Sequence, residues 1–168
     1  MTFLIAAAGT GGHVFPGLAV AEGLVELGVP REEVLFVGGD RLEAEVYPRE
    51  GFRLLQVELA GLKRPWTLEN TRLPAVVMKA RRRIATEIAG TGVKVVLGMG
   101  GYVTIPAAMA ARRCGVPFFN AEQNAEAGLA NRLTARWAVV GWGTAGRVWH
   151  DGTAIWPPVA GCSDRARM

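Results

Sequence analysis

The chain has 168 residues, of which 50% are hydrophobic and 20% are charged, and its formal net charge is +4. This composition excludes an intrinsically disordered chain and is typical of a domain large enough to bury a core. The two cysteines, Cys114 and Cys162, have no metal-ligand spacing and make no disulfide framework, which favours a reducing compartment. Since no apolar stretch approaches the ~20 residues that span a bilayer, we expect a soluble protein or one attached to a membrane surface.

Short apolar runs alternate with helical patterns along most of the chain. The first run lacks a basic segment before it and is interrupted by glycines, which indicates a buried strand and not a signal peptide. The pattern predicts strands at 3–8, 33–37, 53–57, 93–97, 117–120 and 137–140, and helices at 17–28, 41–50, 69–90, 105–114 and 126–135. This alternation predicts an α/β fold with a doubly wound, Rossmann-like parallel sheet. We expect one domain over 1–160, then a frayed terminus or linker at 161–168.

Glycines follow the first predicted strand, in the run Gly9-Thr10-Gly11-Gly12-His13. We expect a helix to open at Pro16-Gly17, because proline suits a first helical turn. Free backbone N–H groups at such a helix start favour a phosphate or pyrophosphate. His13 lies beside this site, where the helix start favours the neutral imidazole that can act as a base. The alternative is a loop histidine that only pairs with the backbone.

A dinucleotide-binding loop is the competing interpretation of these glycines, and Asp40 after the second predicted strand would support it. That motif is G-x-G-x-x-G, but Val14 occupies the position of its last glycine. A nicotinamide-dependent enzyme is therefore disfavoured.

Two further loops at predicted strand ends carry polar or glycine-rich sequence. Gly98-Met99-Gly100-Gly101-Tyr102 repeats the glycine turn before a helix, which indicates a diphosphate-bearing ligand or two phosphorylated substrates. Glu122, Gln123 and Asn124 supply donors and acceptors suited to sugar hydroxyl groups. The alternatives are glycines that only allow tight packing and an Asn124 that only caps a helix.

A basic segment runs from Lys63 to Arg83, with seven basic residues against Glu69 alone. Interspersed aromatic and apolar residues favour a patch for an anionic membrane surface, with a solvated helix face as the alternative. We expect no nucleic-acid partner, because no nucleic-acid motif accompanies the patch. The predicted membrane patch comprises Lys63, Arg64, Trp66, Arg72, Lys79, Arg81, Arg82 and Arg83.

Together these loops resemble the MurG family, the bacterial peptidoglycan GlcNAc transferases, over about residues 1–140. The resemblance rests on the runs 9–19, Gly61-Leu62-Lys63-Arg64, 98–103 and Glu122-Gln123-Asn124. It implies a GT-B enzyme of two Rossmann-like domains that transfers GlcNAc from UDP-GlcNAc, with inversion, to undecaprenyl-diphosphate-linked muramyl-pentapeptide (lipid I). It also implies cell wall biogenesis at the cytoplasmic face of the inner membrane, with no metal and no other cofactor.

The resemblance also implies roles for individual residues. His13 would be the general base on the acceptor hydroxyl, with Glu122 as the reserve candidate. Substrate-binding residues would be Thr10, Gly11, Gly12, Gly100, Gly101, Tyr102, Gln123 and Asn124. Thr10, Gly11, Gly12 and Asn124 would also reach the donor.

The chain departs from the family pattern at Ala121, Thr104-Ile105 and Ala160, where the family usually has His, Ser-Gly and an Arg associated with the donor phosphate. We expect an acceptor-binding N-terminal half that is inactive alone, with the donor-binding domain missing and supplied in cis or in trans. The rival interpretation is a non-catalytic module that binds polyprenyl diphosphate or anionic lipid.

Overall fold

The computed structural model describes residues 1–58, 72–124, 127–143, 148–150 and 153–155. The predicted helices at 69–90 and 126–135 therefore extend partly outside the described residues. Lys63, Arg64 and Trp66 of the predicted membrane patch and the predicted terminus at 161–168 also lie outside them.

The described residues form a single sheet of eight strands in the order β3-β2-β1-β4-β5-β6-β7-β8. Neighbouring strands from β3 to β6 are parallel, and β6, β7 and β8 pair antiparallel. The strands are β1 (Thr2–Ala6), β2 (Val34–Gly38), β3 (Arg53–Gln56), β4 (Val93–Gly98), β5 (Phe118–Glu122), β6 (Val140–Gly143), β7 (Val148–His150) and β8 (Thr153–Ile155). The predicted α/β sheet is confirmed, but β7 and β8 were not predicted, because strands of three residues carry too little periodicity.

Five α-helices connect the strands within the described residues. They are α1 (Gly11–Glu26), α2 (Leu42–Arg49), α3 (Leu73–Thr91), α4 (Thr104–Cys114) and α5 (Leu129–Thr134). Short 3-10 turns lie at Arg31–Glu33 and Ala135–Trp137. The second turn includes Trp137, the first residue of the strand predicted at 137–140, and β6 accordingly begins only at Val140.

The start of α1 differs from the prediction at 17–28. The helix begins at Gly11, directly after Thr10 in an extended N-cap conformation, and Pro16 lies inside it and not in its first turn. Gly11 and Gly12 are poor helix formers, so the sequence predicts non-helical backbone at these positions. In the structure, however, the backbone N–H groups of His13 and Val14 both donate to the Thr10 carbonyl, at 3.0 and 3.1 Å. The glycine-rich run is therefore mostly the first turn of a helix, and the loop itself is short.

The two faces of the sheet bury separate hydrophobic clusters. Leu4 and Ala6 of β1 pack with residues of α3 and α4 on one face, while Ile5 and Ala7 pack with residues of α1 and α2 on the other. Helices on both faces of a parallel sheet define the doubly wound arrangement. The chain crosses from one side of β1 to the other between β3 and β4, so the loops after β1 and β4 meet at the switch point where such folds bind ligands.

The contribution of α3 to this core can be tested at Ile84, because its side chain is fully buried between the sheet and α4. We expect Ile84→Ala to lower the free energy of unfolding by about 2–5 kcal/mol, through lost burial and the cavity that remains. Leu27→Ala is the control, since Leu27 is 84% exposed, and it should change stability little. Urea denaturation followed by circular dichroism measures both, and equal losses would contradict this description of the core.

Candidate active site

Three loops at the carboxyl edge of the sheet surround a cleft of about 600 Å³. Ala8, Gly9 and Thr10 come from the loop after β1 and His13 from the first turn of α1. Gly39, Asp40 and Arg41 come from the loop after β2, Glu43 from the first turn of α2, and Gly101 and Tyr102 from the loop after β4. The structure therefore brings the predicted residues Thr10, His13, Gly101 and Tyr102 together. The loop after β2 was not among the predicted site residues.

His13 lies at the junction of the first and second glycine loops. Its Nδ1 is 3.1 Å from the hydroxyl oxygen of Thr10. A methyl group built on Gly100 would lie only 2.7 Å from Cδ2 and 2.9 Å from Nε2 of the same ring, so the imidazole packs directly on the Gly100 backbone. If Nδ1 carries the proton and donates it to Thr10, Nε2 is left as the basic nitrogen.

Glycine is required at both positions of the second loop. Gly100 and Gly101 have φ angles of 90° and 74°, a region that residues with a side chain rarely adopt. A methyl group on Gly101 would also lie 2.8 Å from the carbonyl oxygen of Ala8. The absence of two side chains thus allows the loops after β1 and β4 to touch, and Thr104 fixes the turn by donating its hydroxyl to the Gly100 carbonyl at 2.8 Å.

The environment of His13 lowers its pKa below the ordinary value of 6.5, because burial disfavours the charged ring, while the charge of Glu122 acts in the opposite direction. The neutral imidazole is therefore the main form at pH 7. On acidification the unfolded chain takes up this proton before the folded chain does. The contribution of His13 to folding stability is consequently lost as the pH falls below about 6.5.

Glu122 lies buried at the end of β5, with 5% of its surface exposed. One carboxylate oxygen accepts hydrogen bonds from the backbone N–H and the side-chain amide of Asn124, at 3.0 and 2.8 Å. The other accepts from the backbone N–H of Gly128 at 2.8 Å and from the side-chain amide of Asn131 at 2.9 Å. This carboxylate therefore links the described residues on both sides of the loop after β5.

The same four hydrogen bonds determine the charge of Glu122. Burial raises its pKa, but the bonds donated by Asn124, Gly128 and Asn131 stabilise the ionised form and leave the pKa below its usual value. A carboxylate with both oxygens occupied and little affinity for a proton is poorly suited to remove one from a substrate. The geometry favours His13 over Glu122 for the general base.

Gln123 and Asn124 serve different purposes in this loop. Gln123 donates its side-chain amide to the carbonyl of Met99 at 2.8 Å, and this bond joins the loop after β5 to the loop after β4. Asn124 is exposed, and because α5 begins only at Leu129 with Gly128 as its N-cap, Asn124 does not cap that helix.

Sequence reasoning missed Glu43 and Asn131, which are both almost fully buried. Glu43 accepts hydrogen bonds from the backbone N–H groups of Gly9 and Gly39. Asn131 joins Glu122 to the carbonyl of Ala121 at 3.0 Å and lies beside Gly100. Both lie in helical segments without a conspicuous motif, so no local signal in the sequence could have identified them.

Outside this cleft, one described residue of the predicted membrane patch, Arg81, lines a cationic groove. Arg81 of α3 lines it with Met109, Arg112 and Arg113 of α4 and with Trp137. The guanidinium groups of Arg112 and Arg136 lie 5.9 and 4.8 Å from the centre of the Trp137 ring. Lys79 instead pairs with Glu58 at 2.8 Å, and Arg72, Arg82 and Arg83 are exposed. Within the described ranges, no helix combines the length and apolarity of a membrane span.

A matched pair of glycine substitutions tests the position of His13. Gly100→Ala should push the imidazole away from the loop and raise the pKa of His13 towards 6.5, because the ring loses the burial that lowers its pKa. Gly115→Ala is the control, since Gly115 has a similar φ of 67° but nothing within 4 Å of an added methyl group. Imidazole proton shifts followed by NMR against pH measure this, and an unchanged pKa in Gly100→Ala would contradict the described contact.

Sequence comparison places this chain among glycosyltransferases. Residues 3–140 match the Glycosyltransferase family 28 N-terminal domain. The UDP-N-acetylglucosamine--N-acetylmuramyl-(pentapeptide) pyrophosphoryl-undecaprenol N-acetylglucosamine transferase of Acidithiobacillus ferrooxidans is 46% identical over 79% of this chain and 36% of its own length. The transferase of the same name from Neisseria gonorrhoeae is 40% identical over 82% of this chain and 38% of its own length. The chain thus spans somewhat over a third of the curated relatives that it matches.

Comparison of structures gives the same result. The crystal structure of Acinetobacter baumannii MurG superposes with a TM-score of 0.71 at 31% identity, over 85% of this chain and 41% of that chain. The UDP-GlcNAc 2-epimerase of Methanocaldococcus jannaschii superposes with a TM-score of 0.60 at 10% identity, over 85% of this chain and 39% of that chain, which shows a shared fold only. From the match over residues 3–140 and from these identities, we conclude that the chain belongs to glycosyltransferase family 28 and carries that family's N-terminal domain.

Proposed function

We propose that this chain is the acceptor-binding part of an inverting GlcNAc transferase of peptidoglycan synthesis. The donor would be UDP-GlcNAc and the acceptor undecaprenyl-diphosphate-linked muramyl-pentapeptide, the substrates contained in the names of its relatives. The observation that carries the proposal is the position of His13. Its neutral imidazole is oriented by Thr10, rests on Gly100 and borders a cleft formed by three loops at the switch point of the sheet.

In the proposed reaction, the acceptor hydroxyl oxygen forms a bond to the anomeric carbon of GlcNAc. The bond from that carbon to the β-phosphate oxygen breaks, and UDP leaves with the electron pair. Nε2 of His13 takes the hydroxyl proton, which a ring with a lowered pKa can do at pH 7 because it is not already protonated. Attack from the face opposite to the leaving group inverts the configuration at the anomeric carbon.

The acceptor diphosphate would bind to backbone N–H groups at the starts of α1 and α4. The N–H groups of Gly11 and Gly12 lie in the first turn of α1, where an α-helix has no internal partner for them. The partial positive charge of the helix start attracts anions, and the glycines keep side chains from blocking the approach. The loop after β4 places a second helix start, that of α4, next to the first. Two adjacent helix starts suit a ligand that carries two phosphates.

The loop after β5 would contact the sugars. Glu122 holds Asn124 by its backbone and its side-chain N–H groups, so the exposed amide has a fixed direction. A fixed amide can accept from a sugar hydroxyl at little entropic cost. Gln123 ties this loop to Met99 in the second loop, and sugar recognition would therefore be coupled to the position of the diphosphate.

The cationic groove supports attachment to an anionic membrane surface. Arg81, Arg112, Arg113 and Arg136 surround Trp137, and among the described residues no carboxylate pairs with any of these four arginines. A tryptophan flanked by unneutralised arginines matches the boundary between lipid headgroups and acyl chains. This groove would hold the enzyme at the cytoplasmic face, where a lipid-linked acceptor is presented.

A transfer assay tests the catalytic proposal. The chain is incubated with UDP-GlcNAc and a lipid-linked muramyl-pentapeptide analogue, alone and mixed with a separately produced C-terminal domain of Acinetobacter baumannii MurG. We expect transfer in the mixture and a loss of about 10²–10⁴-fold in kcat for His13→Ala, the usual contribution of a positioned base.

His150→Ala is the matched control, because the chain contains only these two histidines and β7 is separated from β1 by three other strands. Full activity of His13→Ala would exclude His13 as the base. Tight binding of the lipid diphosphate without transfer under any of these conditions would instead favour a non-catalytic binding module.

Vesicle binding tests the cationic groove. Each of Arg81→Ala, Arg112→Ala and Arg113→Ala should weaken partitioning onto vesicles of phosphatidylglycerol and phosphatidylcholine about fivefold, since a basic residue near an anionic surface contributes ~1 kcal/mol. Arg49→Ala on α2 is the control, because Arg49 is exposed and lies outside the groove. Sedimentation with the vesicles gives the partition coefficients. An equal loss for Arg49→Ala, or equal binding to vesicles of phosphatidylcholine alone, would contradict a lipid site in the groove.

A further inference from the structure

Helix α2 directs two buried polar side chains at the first glycine loop. Glu43 and Tyr47 lie one helical turn apart, which places them on the same face of α2, and 1% and 0% of their surfaces are exposed. Neither residue takes part in the proposed transfer reaction. Buried ionisable and hydroxyl groups are costly unless each is hydrogen-bonded, so their partners indicate why they are present.

Glu43 bonds to the backbone of two loops at once. One carboxylate oxygen accepts from the Gly9 N–H at 3.2 Å, and the other accepts from the Gly39 N–H at 2.9 Å. The carboxylate therefore bridges the loops after β1 and β2 on one side of the cleft. Since the two bonds use different oxygens, a side-chain amide, with one oxygen and one NH2 group, could not form both in this geometry.

Tyr47 holds the same loop from its other end. Its hydroxyl donates to the carbonyl of Ala7 at 3.0 Å and lies 3.4 Å from the carbonyl of Val14. Its ring stacks on Phe36 of β2, with the ring centres 3.7 Å apart. Thus α2 holds the carbonyl of Ala7 and the N–H of Gly9, on either side of Ala8 and just before the first turn of α1.

The backbone beneath Glu43 is shaped to admit this side chain. A methyl group built on Gly38 would lie 2.7 Å from Cγ and 3.3 Å from Cβ of Glu43. The charged and titratable groups that share the cleft with it are His13, Asp40 and Arg41, while Tyr102 lines the β4 side and Glu122 acts on His13 from β5. Only a glycine at the end of β2 leaves space for the carboxylate between the two loops.

We propose that Glu43, assisted by Tyr47, is a positioning residue for the acceptor site. It holds Gly9 in its left-handed conformation, with φ of 104°, and so sets the direction in which α1 begins. That direction sets where the N–H groups of Gly11 and Gly12 point and places the ring of His13 at the cleft. The catalytic consequence rests on the function proposed above, whereas the clamp between the loops does not.

The clamp can be tested in this chain without any transfer activity. Glu43→Gln removes one of the two acceptors, and Gly38→Ala displaces the carboxylate by steric overlap while its charge is kept. In both variants we expect the amide protons of Gly9 and Gly39 to exchange with solvent about tenfold faster, as loss of a hydrogen bond allows local opening. Glu45→Gln is the matched control, because Glu45 is exposed on the same helix.

The pKa of His13 gives a readout that a purely structural role would not move. Release of the loop lets the ring leave its buried position, so the pKa of His13 should rise towards 6.5 in both variants and remain unchanged in Glu45→Gln. Removal of a nearby negative charge alone would lower this pKa. A rise in the pKa of His13 in the Glu43→Gln variant therefore reports movement of the loop and not the loss of the charge.

Unchanged exchange at Gly9 together with an unchanged pKa of His13 in folded Glu43→Gln would overturn the proposal. If circular dichroism indicates that this variant does not fold, Tyr47→Phe tests the clamp from its other side, because it keeps the ring on Phe36 and removes only the hydroxyl. Faster exchange at Gly9 supports the clamp there, and unchanged exchange overturns it. In the mixed transfer assay, the clamp variants should lower kcat, whereas Glu45→Gln should leave it unchanged. Absence of transfer in the unsubstituted chain would overturn the proposed function alone and leave the amide and pKa results to decide the clamp.

Discussion

The site depends on the close approach of two loops that begin at opposite sides of the sheet's switch point. The loops after β1 and β4 feed helices on different faces, so their chains would normally diverge. They touch because Gly100 and Gly101 have no side chains where the His13 ring and the Ala8 carbonyl lie. A single added methyl group at either position would separate the loops. The neutral histidine, the paired helix starts and the cleft all follow from this contact.

A second constraint is that buried carboxylates replace regular secondary structure as the scaffold of the site. Glu122 gathers four N–H groups around the end of β5, and Glu43 gathers two around the ends of β1 and β2. Among the described residues, both carboxyl groups are held by backbone or amide N–H donors and not by a cation. Such donors hold their direction rigidly, so the loops can present a fixed surface although they contain many glycines.

The sequence was sufficient to predict the fold because its signals are local. Apolar runs such as Val93–Leu97 mark strands covered on both faces, and the helical patterns between them predict the crossovers. The first helix was placed six residues late, since Gly11 and Gly12 are poor helix formers and only the Thr10 carbonyl, visible in the structure, starts the helix there. β7 and β8 were missed because three-residue strands leave no measurable alternation.

The candidate site was predicted less completely, for a reason of distance along the chain. Thr10, His13, Gly100 and Glu122 stand in conspicuous motifs, and the structure places Thr10, Gly100 and Glu122 around His13. Glu43 lies 34 residues from its partner Gly9, and Asn131 lies 9 residues from its partner Glu122. Both stand in ordinary helical segments, and nothing local marks them as part of the site. Their role arises only when the sheet order brings separate loops to one edge.

Pro16 inside α1 has a consequence for the chemistry of the same helix start. A proline has no N–H to donate, so the carbonyl four residues earlier, that of Gly12, loses its regular helical partner. Because helical carbonyl groups point towards the C-terminus, this oxygen lies on the opposite side of the turn from the free N–H groups. The proline therefore removes one hydrogen bond from the helix without reducing the number of free N–H groups at its start, on which the proposed phosphate site depends.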